Sequence, residues 1–136
     1  MKRNLSLILA LVLLLTFVFQ TIAFAGDVST CNNNTLSTST SFTISSVGKA
    51  TVTYSYDGYT NIATGATITI VLEKRNFLFF WNEVLTDTVT VNEERYLDAL
   101  ICHLTEKGTY RCKVTYVISG TAGADDVITF EDTASW

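Results

Sequence analysis

The sequence predicts an all-β domain, a single antiparallel sandwich of about seven short strands that follows an N-terminal signal helix. Three observations predict this class. Beyond residue 41, apolar side chains alternate with threonine or charged residues, as in strands that bury one face. The alternating runs are rich in Thr, Val, Ile and Tyr, which suit a pleated surface. Glycine-containing turn sequences separate the runs, as in sandwiches of short strands.

The N-terminal segment has the three parts of a secretory signal peptide. Two basic residues precede the apolar run 5–19, and Ala23-Phe24-Ala25 supplies the small residues that a signal peptidase recognises. We therefore expect residues 1–25 to be a signal peptide, cleaved after Ala25, and the protein to be secreted and extracellular. The alternative is an uncleaved N-terminal anchor, because the apolar run approaches the length that spans a bilayer.

Residues 26–41 are polar and rich in Ser, Thr and Asn, which predicts a flexible leader or a poorly fixed first strand. The sandwich is accordingly expected over residues 42–136. Without Lys2 and Arg3, nine basic residues become seven against thirteen acidic ones, a net charge of −6. This balance excludes a typical nucleic-acid binder and counts against membrane binding after signal cleavage.

The alternating runs locate the strands in chain order. The clearest lie at residues 50–56, 67–72, 88–91 and 110–118. Predicted turns at residues 57–58, 65–66, 107–108 and 120–123 contain glycine, which accepts positive φ at low cost. Residues 93–104 admit a helical or an extended interpretation.

Residues 104–114, which include Gly108-Thr109-Tyr110-Arg111-Cys112, resemble the entry to the sixth strand of immunoglobulin-like and fibronectin type III-like sandwiches. The resemblance implies an immunoglobulin-like architecture and a tyrosine corner at Tyr110. It does not carry over the inter-sheet disulfide of immunoglobulin domains, because the strand around Tyr54 lacks a cysteine.

The order of short motifs over residues 42–132 is also similar to that of small exported proteins of Gram-positive bacteria to which no activity is assigned. The motifs are Gly48-x-Ala50-x-Val52, Ile70-x-Leu72-x-Lys74, Trp81 with Val84, Gly-Thr-Tyr-Arg at 108–111, and Asp126-x-Ile128-Thr129. This second resemblance implies a fold and a compartment, and no function.

Three cysteines allow one disulfide and leave one thiol. If residues 106–108 form a tight hairpin loop, Cys102 lies opposite Cys112 and within disulfide reach, which is the pairing we expect. If the chain instead crosses between sheets before Tyr110, Cys102 lies farther away, and a Cys31–Cys112 bond or no bond is the alternative. The cysteines and the single histidine lack the paired spacing of zinc ligands, so neither a metal nor a cofactor is expected.

No catalytic motif is recognisable in the chain. His103 and Cys102 are neighbours on a predicted strand and point to opposite faces, so they do not form a Cys–His pair. The pairs Asp125-Asp126 and Glu131-Asp132 lack the ligand spacing of a calcium loop and predict a solvated acidic edge. The sequence therefore predicts a protein that is not an enzyme.

The run Phe77-Leu78-Phe79-Phe80-Trp81 is too apolar for a strand that buries one face. Either both faces are covered, which the sequence favours, or an aromatic patch is exposed and suits stacking on sugar rings or docking of a protein. The candidate binding residues are Phe77, Phe79, Trp81, Tyr56 and Tyr59.

Together these features predict a secreted, non-catalytic β-sandwich with a binding or structural role at the cell envelope or outside the cell. Its expected partner is a protein or a cell-envelope glycan. Two alternatives from other classes are a small carboxylate-dependent cell-wall hydrolase and an exported effector or toxin-like protein that acts on a membrane.

Overall fold

A computed structural model describes residues 32–136, which form seven antiparallel strands in two sheets. The strands are β1 (Thr35–Ile44), β2 (Lys49–Gly58), β3 (Ala63–Arg75), β4 (Trp81–Val91), β5 (Arg95–His103), β6 (Thr109–Gly120) and β7 (Asp126–Ser135). One sheet has the order β1-β2-β5 and the other has the order β4-β3-β6-β7. The predicted all-β class, antiparallel pairing and strand number are confirmed. The predicted signal peptide and Cys31 lie outside the described residues.

The inner faces of the two sheets share one core. Strands β2, β3 and β6 supply most of it, with alternate side chains buried as the sequence pattern requires. The largest fully buried side chains are Tyr54, Tyr110, Tyr116, Ile68, Ile70, Leu72 and Ile118. Threonine covers the outer face of the four-stranded sheet, where Thr67 faces Thr90 and Thr69 faces Thr88. Within residues 32–136 no helix is long and apolar enough to cross a membrane.

Strand β1 starts seven residues before the predicted boundary of the sandwich, at Thr35 rather than at residue 42. Residues 35–41 are therefore strand, which is the second of the two alternatives predicted for this segment, a first strand rather than a flexible leader. Their polar composition lacks the alternation of apolar residues by which a strand is recognised. Strand β1 is instead held by backbone pairing with β2 and by hydrogen bonds from the residues at its start. The buried carboxylate of Asp126 accepts hydrogen bonds from the N–H groups of Asn33, Asn34 and Thr35.

The structure decides two other local predictions: one turn is wrong, and one segment that admitted a helix or a strand is a strand. Gly65 and Ala66, predicted as a turn, lie inside β3, where a Cβ on Gly65 would come 2.4 Å from the Val91 carbonyl oxygen. Close approach of β4, rather than chain reversal, is the reason for the glycine. Residues 95–103, which admitted a helix, form the extended strand β5.

The connection between β5 and β6 crosses from one sheet to the other. Cys102 pairs with Ala50 on β2, whereas Cys112 pairs with Leu72 on β3. The hairpin that would place Cys102 opposite Cys112 is therefore wrong, and both cysteines are free thiols in the structure. At the same crossing, Tyr110 Oη donates a 2.6 Å hydrogen bond to the Glu106 carbonyl.

The two described thiols should differ in reactivity. Cys112 is fully buried, and this burial raises its pKa to about 12. Cys102 is partly buried, and burial raises its pKa as well. Because the thiolate is the reactive form, iodoacetamide at about pH 8 should modify Cys102 slowly and Cys112 only after unfolding. Peptide mass analysis after labelling with and without denaturant measures this, and rapid native labelling of Cys112 would contradict its packing.

Candidate functional site

The chain reversals lie at two opposite ends of the sandwich. Loops 45–48, 76–80 and 104–108 lie at one end, together with the last residue, Trp136. Loops 59–62, 92–94 and 121–125 lie at the other end. We call the first of these the tip end, because the loop of residues 76–80 carries an unusual set of side chains there.

Four consecutive apolar side chains project from loop 76–80, and we call them the apolar tip. The exposed fractions are 87% for Phe77, 56% for Leu78, 70% for Phe79 and 66% for Phe80. The burial that the sequence favoured is therefore wrong, because this run connects two strands instead of forming one. Trp81 begins β4 and is partly buried. Contiguous exposed apolar surface of this kind is typical of binding sites.

Hydrogen bonds within the loop hold the backbone of the apolar tip. The Asn76 N–H donates to the Phe80 carbonyl at 2.8 Å, and the Phe79 N–H donates to the Asn76 carbonyl at 3.0 Å. The Asn76 side-chain oxygen accepts from the N–H groups of Leu78 at 2.9 Å and Phe80 at 3.0 Å. The loop is thus organised by one asparagine, and its apolar side chains are not needed to hold its shape.

Phe79 has a left-handed backbone with φ of 66°. Glycine is typical at this position of a short hairpin loop, and a side chain there costs about 1 kcal/mol. A bulky, exposed phenylalanine held in this conformation indicates a role for the side chain rather than for stability.

Two guanidinium groups lie close to aromatic rings, one in the loop and one at the start of β4. The Arg75 guanidinium carbon is 4.6 Å from the Phe79 ring centroid and 6.0 Å from that of Trp81. The Arg111 guanidinium carbon is 4.5 Å from the Trp81 ring centroid. Arg111 is itself held by Glu73 at 2.7 Å, a hydrogen bond that lowers the pKa of Glu73 and raises the pKa of Arg111. These contacts orient Trp81 at the base of the tip.

A basic groove of about 460 Å³ lies beside the apolar tip. Its lining includes Lys74, Arg75 and Lys107, with the amides of Asn76 and Asn82. Lys74 is neutralised by an ion pair with Glu106, which also lines the groove. Among the described residues, the basic side chains that form no ion pair are Lys49, Arg75 and Lys107. All three belong to the tip end.

Charge is distributed unequally between the two ends. Six of the seven basic residues of the described chain lie in the half that carries the apolar tip: Lys49, Lys74, Arg75, Lys107, Arg111 and Lys113. The seventh, Arg95, lies at the opposite end beside Asp57. That end also carries acidic residues in its loops, namely Glu93, Glu94 and Asp125. The half that carries the tip also contains Glu73, Glu83, Glu106, Glu131 and Asp132, so six basic against five acidic residues leave it an excess of one positive charge, and the acidic surplus of the described chain lies in the other half.

Tyr56 and Tyr59 do not join the other candidate binding residues. Tyr56 is 2% exposed and its hydroxyl donates to the Glu93 carbonyl, so its assignment as a surface residue is wrong. Its inward direction follows from the alternation of β2, which places Tyr56 on the same buried face as Val52 and Tyr54. Tyr59 is 40% exposed but lies in the loop before β3, whose thirteen residues separate it from the tip by about 40 Å.

The remaining chemical candidates are separated from one another. His103 is exposed at the end of β5, whereas Cys102 faces the core, so the two side chains diverge. Asp126, predicted in a solvated acidic edge, is 4% exposed and serves as a clamp for β1. Within residues 32–136 no group of three or more His, Cys, Asp or Glu side chains is placed to hold a metal ion.

Comparison with known proteins assigns the chain to no family. No protein-family model matches it, and no curated protein matches it significantly. The residues at the tip that sequence reasoning did not single out are Leu78, Phe80, Asn76 and the three cations of the groove. An asparagine directly after Lys-Arg and before an apolar run was the available signal for a turn at this place.

Proposed function

We propose that the protein is a secreted, non-catalytic, immunoglobulin-like sandwich that binds a component of the cell envelope through the apolar tip. The observation that carries this proposal is the combination of exposed phenyl and leucyl side chains with a loop backbone that is organised independently of them. Such surface is costly in water and becomes favourable when a partner covers it.

The immunoglobulin-like assignment is supported by strand order and by one side chain. Three strands in the order β1-β2-β5 face four in the order β4-β3-β6-β7, an arrangement typical of fibronectin type III-like sandwiches. Tyr110 bonds to the backbone four residues upstream, two positions before Cys112, as a tyrosine corner does. The same features favour a relationship to the small exported proteins of Gram-positive bacteria.

Secretion and the absence of catalysis are supported by separate observations. The basic, apolar and Ala23-Phe24-Ala25 regions of the N-terminus favour export and cleavage after Ala25. Divergence of His103 and Cys102 removes the one nucleophile–base pair that the sequence offered. A sandwich that presents one apolar loop suits recognition better than turnover.

We expect the variant Phe77→Ser/Phe80→Ser to lose most of the binding of the mature protein to Gram-positive cell envelopes in a sedimentation assay. Each phenylalanine removed from an apolar contact should weaken binding about tenfold. Because both side chains are exposed, the free energy of unfolding should change by less than about 1 kcal/mol, measured by urea denaturation.

Leu97→Ser is the matched control, since Leu97 is 71% exposed on β5 and lies away from the tip end. It should leave envelope binding unchanged. Equal binding by the wild-type protein and the double variant would contradict the proposed binding role. Clearing of a cell-wall zymogram by the purified protein would contradict the absence of catalysis.

A further inference from the structure

We infer that the apolar tip inserts into the surface of an anionic lipid bilayer, with lipid headgroups bound in the adjacent basic groove. This inference rests on the binding role proposed above and names its partner. The tip projects from the end of the sandwich and consists of three phenylalanines and a leucine. Side chains of these types partition into the interfacial region of a bilayer, where aromatic rings are favoured.

The backbone of the loop meets part of the requirement that a bilayer imposes on an inserted segment. Water is scarce below the headgroups, so an unpartnered N–H or carbonyl opposes insertion. The N–H groups of Asn76, Leu78, Phe79 and Phe80 all donate within the loop. The N–H of Phe77 and the carbonyls of Phe77, Leu78 and Phe79 form no hydrogen bond within residues 32–136, so this backbone stays at the level of the hydrated headgroups while the apolar side chains enter the bilayer.

The groove places positive charge where the headgroups of an inserted tip would lie. Arg75 immediately precedes the loop, and Lys107 lines the opposite side of the same groove. Neither forms an ion pair with another described residue. Their charges are available to lipid phosphates, and basic side chains near an anionic surface strengthen binding by about fivefold each.

The distribution of charge reconciles this inference with the acidic composition. Electrostatic interactions are screened over about 8 Å at physiological ionic strength, whereas β3 alone is about 40 Å long. A membrane in contact with the tip end therefore senses Lys49, Arg75 and Lys107, together with the carboxylate of Glu83 near the start of β4, far more than the acidic loops at the opposite end. The net charge of −6 counted against membrane binding, but attraction to a membrane depends on the charges near the contact surface and not on the net charge of the whole protein.

Vesicle sedimentation with the mature protein tests the inference, using phosphatidylcholine alone and phosphatidylcholine with about a quarter phosphatidylglycerol. We expect binding to the anionic vesicles, weaker binding to the neutral ones, and a decrease with added salt. Phe77→Ser/Phe80→Ser should lower the partition coefficient at least about tenfold. In a Trp136→Phe background, the emission of Trp81 should shift to shorter wavelength on binding.

Charge variants separate headgroup recognition from unspecific attraction. Arg75→Gln/Lys107→Gln should lower binding to anionic vesicles more than about tenfold. Arg95→Gln removes a cation from the opposite end and should leave binding unchanged. Equal loss in the two charge variants would overturn the assignment of the groove, and thermal unfolding of each variant by circular dichroism verifies that it is folded.

The vesicle and envelope assays fail in distinguishable ways. Tip-dependent binding to cell envelopes without binding to anionic vesicles overturns the lipid inference and leaves the binding role intact. Loss of that envelope binding after protease or muramidase treatment then indicates a protein or a glycan. Tip-independent binding, or no binding in either assay, overturns both proposals.

Discussion

Asp126→Ala is expected to lower the free energy of unfolding by about 3 kcal/mol, a large fraction of the stability of a small domain. The carboxylate accepts hydrogen bonds from the N–H groups of Asn33 at 3.0 Å, Asn34 at 2.8 Å and Thr35 at 2.8 Å. Its removal leaves these donors without their partner, two of them on buried residues, and releases the start of β1 from β7. Urea denaturation followed by tryptophan fluorescence measures the loss.

Asp125→Ala is the matched control, because Asp125 is the neighbouring carboxylate and is exposed. Its replacement should change the unfolding free energy by no more than about 0.5 kcal/mol. Similar losses of unfolding free energy in both variants would mean that negative charge at this end stabilises the protein, and that the hydrogen bonds to Asp126 do not.

The same clamp makes stability depend on acid pH in a defined direction. Burial alone would raise the pKa of Asp126, but hydrogen bonds from Thr35, Asn33 and Asn34 outweigh it and lower the pKa below the ordinary value of 3.8. The stabilisation is therefore complete above pH 3.8 and is lost as the pH falls through the folded-state pKa. The stability difference between wild type and Asp126→Asn should accordingly shrink on acidification below that value.

Gly48→Ala is expected to destabilise the protein by about 2–3 kcal/mol for two separable reasons. Gly48 has φ of 76°, a conformation that opposes any side chain. A Cβ there would also lie 2.6 Å from the Trp136 ring, which packs over the glycine and donates from Nε1 to the Ser46 carbonyl at 3.1 Å. The added methyl must therefore displace the ring. Thermal and urea unfolding of the variant measure the combined effect.

A double-mutant cycle with Trp136→Ala separates the two contributions. In the Trp136→Ala background, Gly48→Ala should lower the free energy of unfolding by about 1–2 kcal/mol, because only the cost of a side chain at positive φ remains. An equal cost in both backgrounds would exclude the ring clash.

Some features could be predicted because they depend on neighbours in the chain. Alternation over residues 50–56 and 110–118 corresponds to β2 and β6, the two strands with the clearest buried face. For both strands the deciding interactions lie within the strand itself. The crossing between sheets before Tyr110 was the alternative that the sequence left open beside the expected hairpin.

Other features depended on pairings that no local pattern encodes. The side chain of Asp126 determines where β1 begins, across more than ninety residues of sequence. The assignment of β5 and β6 to different sheets means that Cys102 and Cys112 are not cross-strand partners.

The order of residues by itself determined an all-β chain, its strand-forming runs and one stretch with too many aromatic groups for a half-buried strand. The tertiary structure decided that this stretch is a protruding loop and which cations lie beside it. The physical reason is the sequence separation of the interactions: the pleating of a strand depends on side chains that are adjacent in the chain. Exposure and local charge instead depend on which distant strands pair and where their hairpins turn.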